Sequence, residues 1–423
     1  MADRHRAALD VDGTLSRLVL RLLSLALSAE NGRLARGEHG TLIDLLQREL
    51  RLDDGIGYLN HAAISPWPRR TVAAVQAFAA SLGHTGSKDY PRWVATEQRL
   101  REHLAALIGA ASPADIALAK STSEALSFVA QGLDWEPGDN VVGIAQEFPS
   151  NRIVWEALAE RGVTYRRLDL SASAEPEADL LALCDDRTRL CAVSWVQYAR
   201  GLRLDLARLG NGLRERGVLF CIDGIQGLGA LPFDLAEIPA DFVAADGHKW
   251  MLGPEGLALF WVRPALRESL RLTQHGWHMV EHLGDFDRQD WQPAQSARRF
   301  EAGSPNMLGI HALEASLSLL LEVGMDAIGA AIAERSARLV EFVDRHGLEL
   351  LTPRAPERRA GIVTFRVPGV DSQALYRTLM QRDLMCASRG GGIRFSPHAY
   401  TPMEQLDEAI ERTLAAAAEL PAS

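Results

Sequence analysis

The chain has 423 residues, 47% of them apolar and 24% charged, a balance that supports a sizeable buried core in a soluble globular protein. Its 45 Lys and Arg stand against 55 Asp and Glu, for a formal charge of −10, and no basic block of nucleic-acid-binding length occurs, so nucleic acid is excluded as an expected partner. The four cysteines, Cys184, Cys191, Cys221 and Cys386, lack both CxxC and Cys/His ligand spacing, which argues against a disulfide framework and a metal site and for a reducing, cytoplasmic setting.

Residues 1–45 read as a loosely ordered N-terminal extension. Within it "DVDGT", Asp10 to Thr14, has the look of a phosphatase nucleophile motif. That motif needs an apolar strand to deliver its first aspartate, and "RHRAAL" precedes it here. The apolar run Leu18 to Ser28 is interrupted by Arg21 and falls well short of the roughly 20 residues that span a bilayer. It reads as a short amphipathic helix, and no membrane partner is expected.

From about Asp115 apolar runs alternate with helical patterns, each switch marked by Gly, Pro, Asp or Ser. "DIALAKS" predicts a strand and "SEALSFVAQGL" its helix. "NVVGIAQE" predicts the next strand, "RIVWEALAERG" the next helix and "TYRRLDL" a third strand. "RLCAVSWVQ", "VLFCIDG", "FVAADGH" and "LALFWVR" supply four more strands. Several are apolar throughout, as strands covered on both faces must be, and the outcome is a doubly wound, mostly parallel α/β sheet. Past Met307 the pattern changes to two long helices, Met307 to Leu321 and Met325 to Arg345. "GIVTFRV", "QALYRTLMQR", "LMCASR", "GGIRFSP" and a last helix follow. That helix opens on "TPME", which predicts Thr401 as N-cap, Pro402 at the first helical position and Glu404 closing a capping box. The expected division is a large domain at 46–306, whose first part can pack on the other unit, and a smaller α+β domain at 307–423.

Ligands of open α/β sheets collect at the carboxyl ends of the strands. Lys249, in "DGHKW", follows an apolar strand beside His248, where desolvation disfavours the ammonium and a neutral amine can form an imine. A surface lysine is the alternative. Asp223, in "DGIQG", closes a buried strand with no basic neighbour in sequence, so its carboxylate needs a cationic partner such as a pyridinium nitrogen. It can also be a turn-forming Asp before Gly224. Gln226 can donate to a phenolic oxygen. Thr122 and Ser123, between a strand and a helix, offer hydroxyls and free amides to a phosphate, or cap the helix, or both. Phe148 offers a flat apolar face, or is a core residue. Arg394, emerging from a strand after glycines, carries the group best matched to a carboxylate and is the expected substrate anchor. Arg389 is a second candidate, with a surface salt bridge as its default.

Taken together, "STSE", "QEF", "DGIQ", "GHKWMLGPEGLALFWV", "RRFEAGSPN" and "IRFSPHAY" resemble the class V aminotransferases, a fold-type I group of pyridoxal-5′-phosphate (PLP) enzymes. That group includes cysteine desulfurases, selenocysteine lyases and isopenicillin N epimerase-like proteins. The resemblance runs from about Tyr58 to the C-terminus. It implies a fold-type I transferase fold, PLP as cofactor, Lys249 as the Schiff-base lysine and Asp223 as the pyridinium partner. It further implies that Gln226 meets the ring oxygen, that Thr122, Ser123 and His248 meet the phosphate, and that Arg394 holds the substrate carboxylate. "RFEAGSPN" resembles the stretch that reaches the partner subunit's phosphate, which makes Ser304 a candidate there and implies a homodimer. "YLNHAAIS" resembles the segment that approaches substrate, with Asn60 and His61 as specificity candidates.

The sequence also departs from the group. Its cysteine and selenocysteine branch has Ser where Asp246 stands and His where Phe148 stands, and an acid at 246 would repel phosphate unless it faces elsewhere. The desulfurases carry a nucleophilic cysteine between the two arginine-bearing segments, and "RGGGI" here holds none. Cys386, upstream on a predicted strand, reads as an inert buried thiol. The expected activity is aminotransferase-type chemistry at the α-carbon of an amino acid. Desulfuration or other C–S lysis without an enzyme persulfide, epimerisation, and a silent PLP-fold binding protein are the alternatives.

Overall fold

The computed structural model describes residues 37–421; the phosphatase-like motif and the run Leu18 to Ser28 lie outside them. The chain begins with α1 (Gly37–Glu49), β1 (Gly57–Tyr58), α2 (Arg69–Thr85) and α3 (Tyr90–Ile108). Alternation follows: β2 (Ile116–Ala119), α4 (Thr122–Gly132), β3 (Asn140–Ile144), α5 (Ser150–Glu156), β4 (Thr164–Leu168), α6 (Pro176–Leu183), β5 (Thr188–Ser194), α7 (Leu206–Glu215) and β6 (Leu219–Asp223). β7 (Phe242–Asp246) and β8 (Ala258–Val262) complete the sheet. Its order is β2-β8-β7-β6-β5-β3-β4, and β8 alone runs against its neighbours. β3, β7 and β8 are buried at every position, as a sheet covered on both faces requires. Two apolar clusters, one on each face, provide that cover.

α8 (Met307–Val323) and α9 (Met325–Arg345) lead into β9 (Glu349–Leu350), β10 (Val363–Arg366), α10 (Ser372–Gln381), β11 (Leu384–Met385), β12 (Ala387–Arg389), β13 (Gly392–Phe395) and α11 (Met403–Ala418). The second sheet is antiparallel, in the order β12-β13-β10-β9. A separate apolar cluster packs beneath it. The change of core does not fall after Asn306. Leu313, Leu317 and Leu320 of α8 and Ile328 and Ile332 of α9 belong to the large core, and Leu339, Phe342 and Val343 of α9 to the small one. An apolar helical stripe looks the same in sequence whichever core it faces, so the boundary within α9 is a tertiary fact. The link back to the small unit is made by β1, which pairs in parallel with β11.

The last helix starts later than "TPME" predicts. Pro402 is its N-cap residue, without a side-chain capping bond. Thr401 is buried and otherwise engaged, its Oγ1 accepting from the His398 amide and its carbonyl from Arg335 Nε. Among the described residues no single helix is long and apolar enough to cross a membrane.

One buried ion network ties α3 to the segment bearing Ser304. Arg101 donates to both oxygens of Glu301 at 2.6 and 2.8 Å and to Glu97 at 2.5 Å. Removing the cation would strand two buried carboxylates, so Arg101→Ala should cost about 3–5 kcal/mol in urea unfolding. A loss below about 1 kcal/mol would show that the acids protonate or rehydrate freely.

Candidate functional site

The carboxyl ends of β3, β5, β6 and β7 and the N-terminus of α4 converge on a cleft of about 290 Å³. Lys249 lies just past β7, its backbone fixed before any ligand arrives. Ser65 donates its amide to the His248 carbonyl and its hydroxyl to the Lys249 carbonyl, and Leu252 N–H donates to the latter at 3.0 Å. Leu252 adopts a left-handed φ of 59°, a strained conformation for a bulky residue, three positions after Lys249.

Lys249 is 7% exposed, and burial pushes its ammonium down to about 8, with Asp223 pulling the other way. Its Nζ stands 5.5 Å from the centroid of the Phe148 ring, which also packs edge-on against Tyr198 at 5.3 Å. Asp223 is 2% exposed, and burial pushes its carboxyl up to about 6 against the pull of the Ile225 amide and Lys249.

The cap of α4 is Ser121, whose hydroxyl accepts from Glu124 N–H, so the capping alternative for Thr122 and Ser123 falls to their neighbour. Thr122 Oγ1 accepts from the Asp246 amide and Ser123 Oγ donates to Ser150 Oγ, and both residues line the cleft. Asp246 Oδ1 lies 2.9 Å from His248 Nδ1 at an angle that makes no hydrogen bond. The acid therefore faces the imidazole.

Gln226 lines the cleft more constrained than the sequence suggested. Its carbonyl oxygen accepts from Trp250 Nε1 and its amide donates to Ala62 O, which leaves one N–H for a ligand. Arg394 is 2% exposed and has no acidic partner among the described residues; its Nη1 donates to Tyr198 O at 2.7 Å and its Nε to nothing. Burial pushes this guanidinium down to about 10, with Arg389 adding to the effect. Arg389, exposed at the cleft mouth, donates to Ser388 O and forms no salt bridge among the described residues.

Three candidates lie off the cleft wall. His61 is wholly buried, its ring nitrogens meeting Ser396 O and Tyr400 Oη at 2.9 and 2.7 Å, and burial lowers it to about 4. It is a core histidine, and its neighbours Ala62, Ala63 and Ile64 face the cleft instead. Asn60 accepts weakly from Arg394 Nη2 at 3.4 Å, which makes it a partner of the arginine. Ser304 is exposed and lines a different pocket, with Lys120, Glu124 and Gly256. Cys386 is buried, its thiol pushed up to about 12, and no cysteine lines the cleft.

Sequence reasoning missed Glu147 and Tyr198. Glu147 adjoins Phe148 yet is 5% exposed, with Ser194 donating to both its oxygens. The polar "QEF" at a strand end was the available signal.

A desolvated lysine over an aromatic ring, a buried acid across from it, hydroxyls at a helix N-terminus and a buried unpaired arginine fit the parts of PLP and of an amino-acid carboxylate. The orphaned Arg394 Nε, Asp246 Oδ1 and His248 Nδ1 are consistent with a polar ligand in the cleft. This fold and site define a fold-type I PLP-dependent enzyme. Residues 57–408 match the family model "Aminotransferase class-V", and the chain belongs to that family. It is 33% identical to the isopenicillin N epimerase of Streptomyces clavuligerus over 84% of this chain and 94% of that one. It is 26% identical to a probable cysteine desulfurase of Pyrococcus abyssi, over 86% and 94%. Among solved structures, the cystine C–S lyase C-DES bound to cysteine persulfide superposes with a TM-score of 0.81 at 24% identity, covering 87% of this chain and 98% of that one. The Escherichia coli cysteine desulfurase CsdA gives 0.79 at 24% identity, over 89% and 99%.

Proposed function

We propose that the protein catalyses aminotransferase-type chemistry on an amino acid, with Lys249 holding the cofactor and then moving the α-proton. The observation that carries this reading is Arg394, a buried guanidinium that pairs with no acid among the described residues and shares its cleft with Lys249 and Asp223. A buried cation left unpaired is costly, and a substrate carboxylate is the partner that relieves it. Bound PLP supplies an electron sink for the charge left at Cα. Thr122, Ser123 and His248 would hold its phosphate, Phe148 its ring face and Asp223 its nitrogen. Lys249 near neutrality is both nucleophile and base, and as the cleft's one lysine it can take a proton at Cα and return it elsewhere on the same face.

Incubating the cofactor-loaded protein with single amino acids tests the reaction type. Keto acid with stoichiometric loss of amine is expected; sulfide from cysteine without keto-acid formation from other amino acids would overturn it. Epimerisation is the second reading, favoured by the 33% identity to an epimerase. Stereoinversion with no keto acid would select it. Desulfuration through an enzyme persulfide is disfavoured by the absence of a cysteine from the cleft wall.

Two further outcomes are expected. Arg394→Gln should raise the KM for amino acids about 100-fold or more while changing kcat less, as loss of paired charged hydrogen bonds predicts. Covalent PLP uptake by the stripped protein, trapped with borohydride, should climb as pH passes about 8 and then level, since only the neutral Lys249 amine attacks a carbonyl. A climb centred on the ordinary lysine value of 10.5 would contradict the burial argument.

A homodimer belongs to the same proposal: Ser304 is exposed and away from its own chain's cleft, which supports its serving a partner's. Analytical ultracentrifugation should find twice the 46.3 kDa chain mass. The free cysteines support a cytoplasmic setting.

A further inference from the structure

A second buried acid lies beside the site, and the mechanism above does not use it. Glu147 sits past the end of β3, next to Phe148, and reaches across to the end of β5. There the Ser194 amide donates to Oε1 at 2.7 Å and the Ser194 hydroxyl donates to Oε2. Ser194 stands in register with Asp223 of β6, and Trp195 N–H donates to the Asp223 carbonyl at 2.9 Å. Glu147 thus joins the backbone that carries Phe148 to the backbone that places Asp223.

No cation faces it there to support its ionisation, among the described residues. The titratable groups facing it are Asp223 on β6, Tyr165 on β4 and Cys191 on β5, each neutral or negative, and the Asn151 amide approaches from α5. It forms no salt bridge among the described residues, and burial pushes its carboxyl up to about 8 despite the bonds from Ser194.

We propose that Glu147 is a positioning residue that works as a neutral acid, clasping two strand ends so that Asp223 is the single ionised carboxylate behind the cofactor ring. A protonated acid keeps both contacts, accepting from the Ser194 amide and donating its own proton to the Ser194 hydroxyl, without a second negative charge in a low-dielectric space. The inference rests on the PLP reading for its purpose, while its stability arm stands without cofactor.

An acid with a raised folded pKa stabilises the fold fully below its unfolded value of 4.5, and that contribution is lost as pH rises towards about 8. Glutamine keeps the shape without the charge. The stripped Glu147→Gln protein should therefore melt above the wild type at about pH 9, by about 1 °C or more, with the gap shrinking towards about pH 5.5. In the 423-residue chain, Glu147→Ala should weaken PLP binding about tenfold or more by equilibrium dialysis and shift the visible cofactor band. Glu147→Gln should restore both, and Ser194→Ala should fall between.

A Glu147→Gln protein that binds PLP as poorly as Glu147→Ala, or a melting gap independent of pH, would overturn the proposal. So would a Glu147→Ala protein that binds PLP as the wild type does. If the wild type itself takes up no PLP, the functional reading fails, and the melting gap alone decides the charge state of Glu147.

Discussion

Lys249→Ala is expected to abolish α-proton exchange, lowering it by about 10⁴-fold or more, while the fold survives. General base catalysis by a placed side chain contributes about 10²–10⁴-fold, and the proposed imine would add a covalent role that no other lysine in the cleft could assume. Of the other acids on the cleft wall, Asp246 faces His248, Asp223 closes the adjacent strand, and Glu255 is exposed. Arginine at 249 should not rescue, because a guanidinium stays protonated and forms no imine. The measurement is loss of deuterium from α-deuterated amino acids, with circular dichroism as the control for folding. Borohydride reduction and peptide mapping should find the pyridoxyl group on Lys249 in the wild type. Label on another lysine, or exchange within tenfold of wild type in the alanine protein, would remove the residue from its assigned role.

Asp223→Asn should be nearly as damaging, lowering turnover about 10²–10⁴-fold, the equivalent of the 3–5 kcal/mol lost when one partner of a buried ion pair is removed. The amide retains the shape and can still accept from the Ile225 amide, so the loss would report on charge. Stability should move in the opposite direction. Burial raises the Asp223 carboxyl from 3.8 to about 6, so its ionisation destabilises the fold as pH rises through that window. The asparagine protein, stripped of cofactor, should therefore melt at or above the wild-type temperature near pH 7. A gain in stability with a loss of activity is the signature of a group kept for function. Equal losses of both would make Asp223 a structural residue.

Much of this site was legible from the chain alone because parallel strands buried on both faces announce themselves. Apolar runs such as "FVAAD" and "LFCID" are too short and too unbroken for surface elements, and polar residues just past them must lie at the carboxyl end of the sheet. That reasoning led to Asp223 and Lys249 without any contact being known. It also placed Thr122 and Ser123 at a helix start, although the cap itself belongs to Ser121.

The charge state and reach of each group were decided only by tertiary structure. His61 and Ala62 are neighbours in sequence, yet the first is held in the core by Ser396 and Tyr400 and the second faces the cleft. Glu147 closes the predicted strand "NVVGIAQE", and nothing in that pattern marks it as buried until the fold encloses it with Asp223, Tyr165 and Cys191. Helix α9 shows one apolar stripe but serves two cores. The common reason is range: strand and helix patterns follow from neighbours a few positions away, whereas desolvation and partner choice depend on residues brought together from distant parts of the chain.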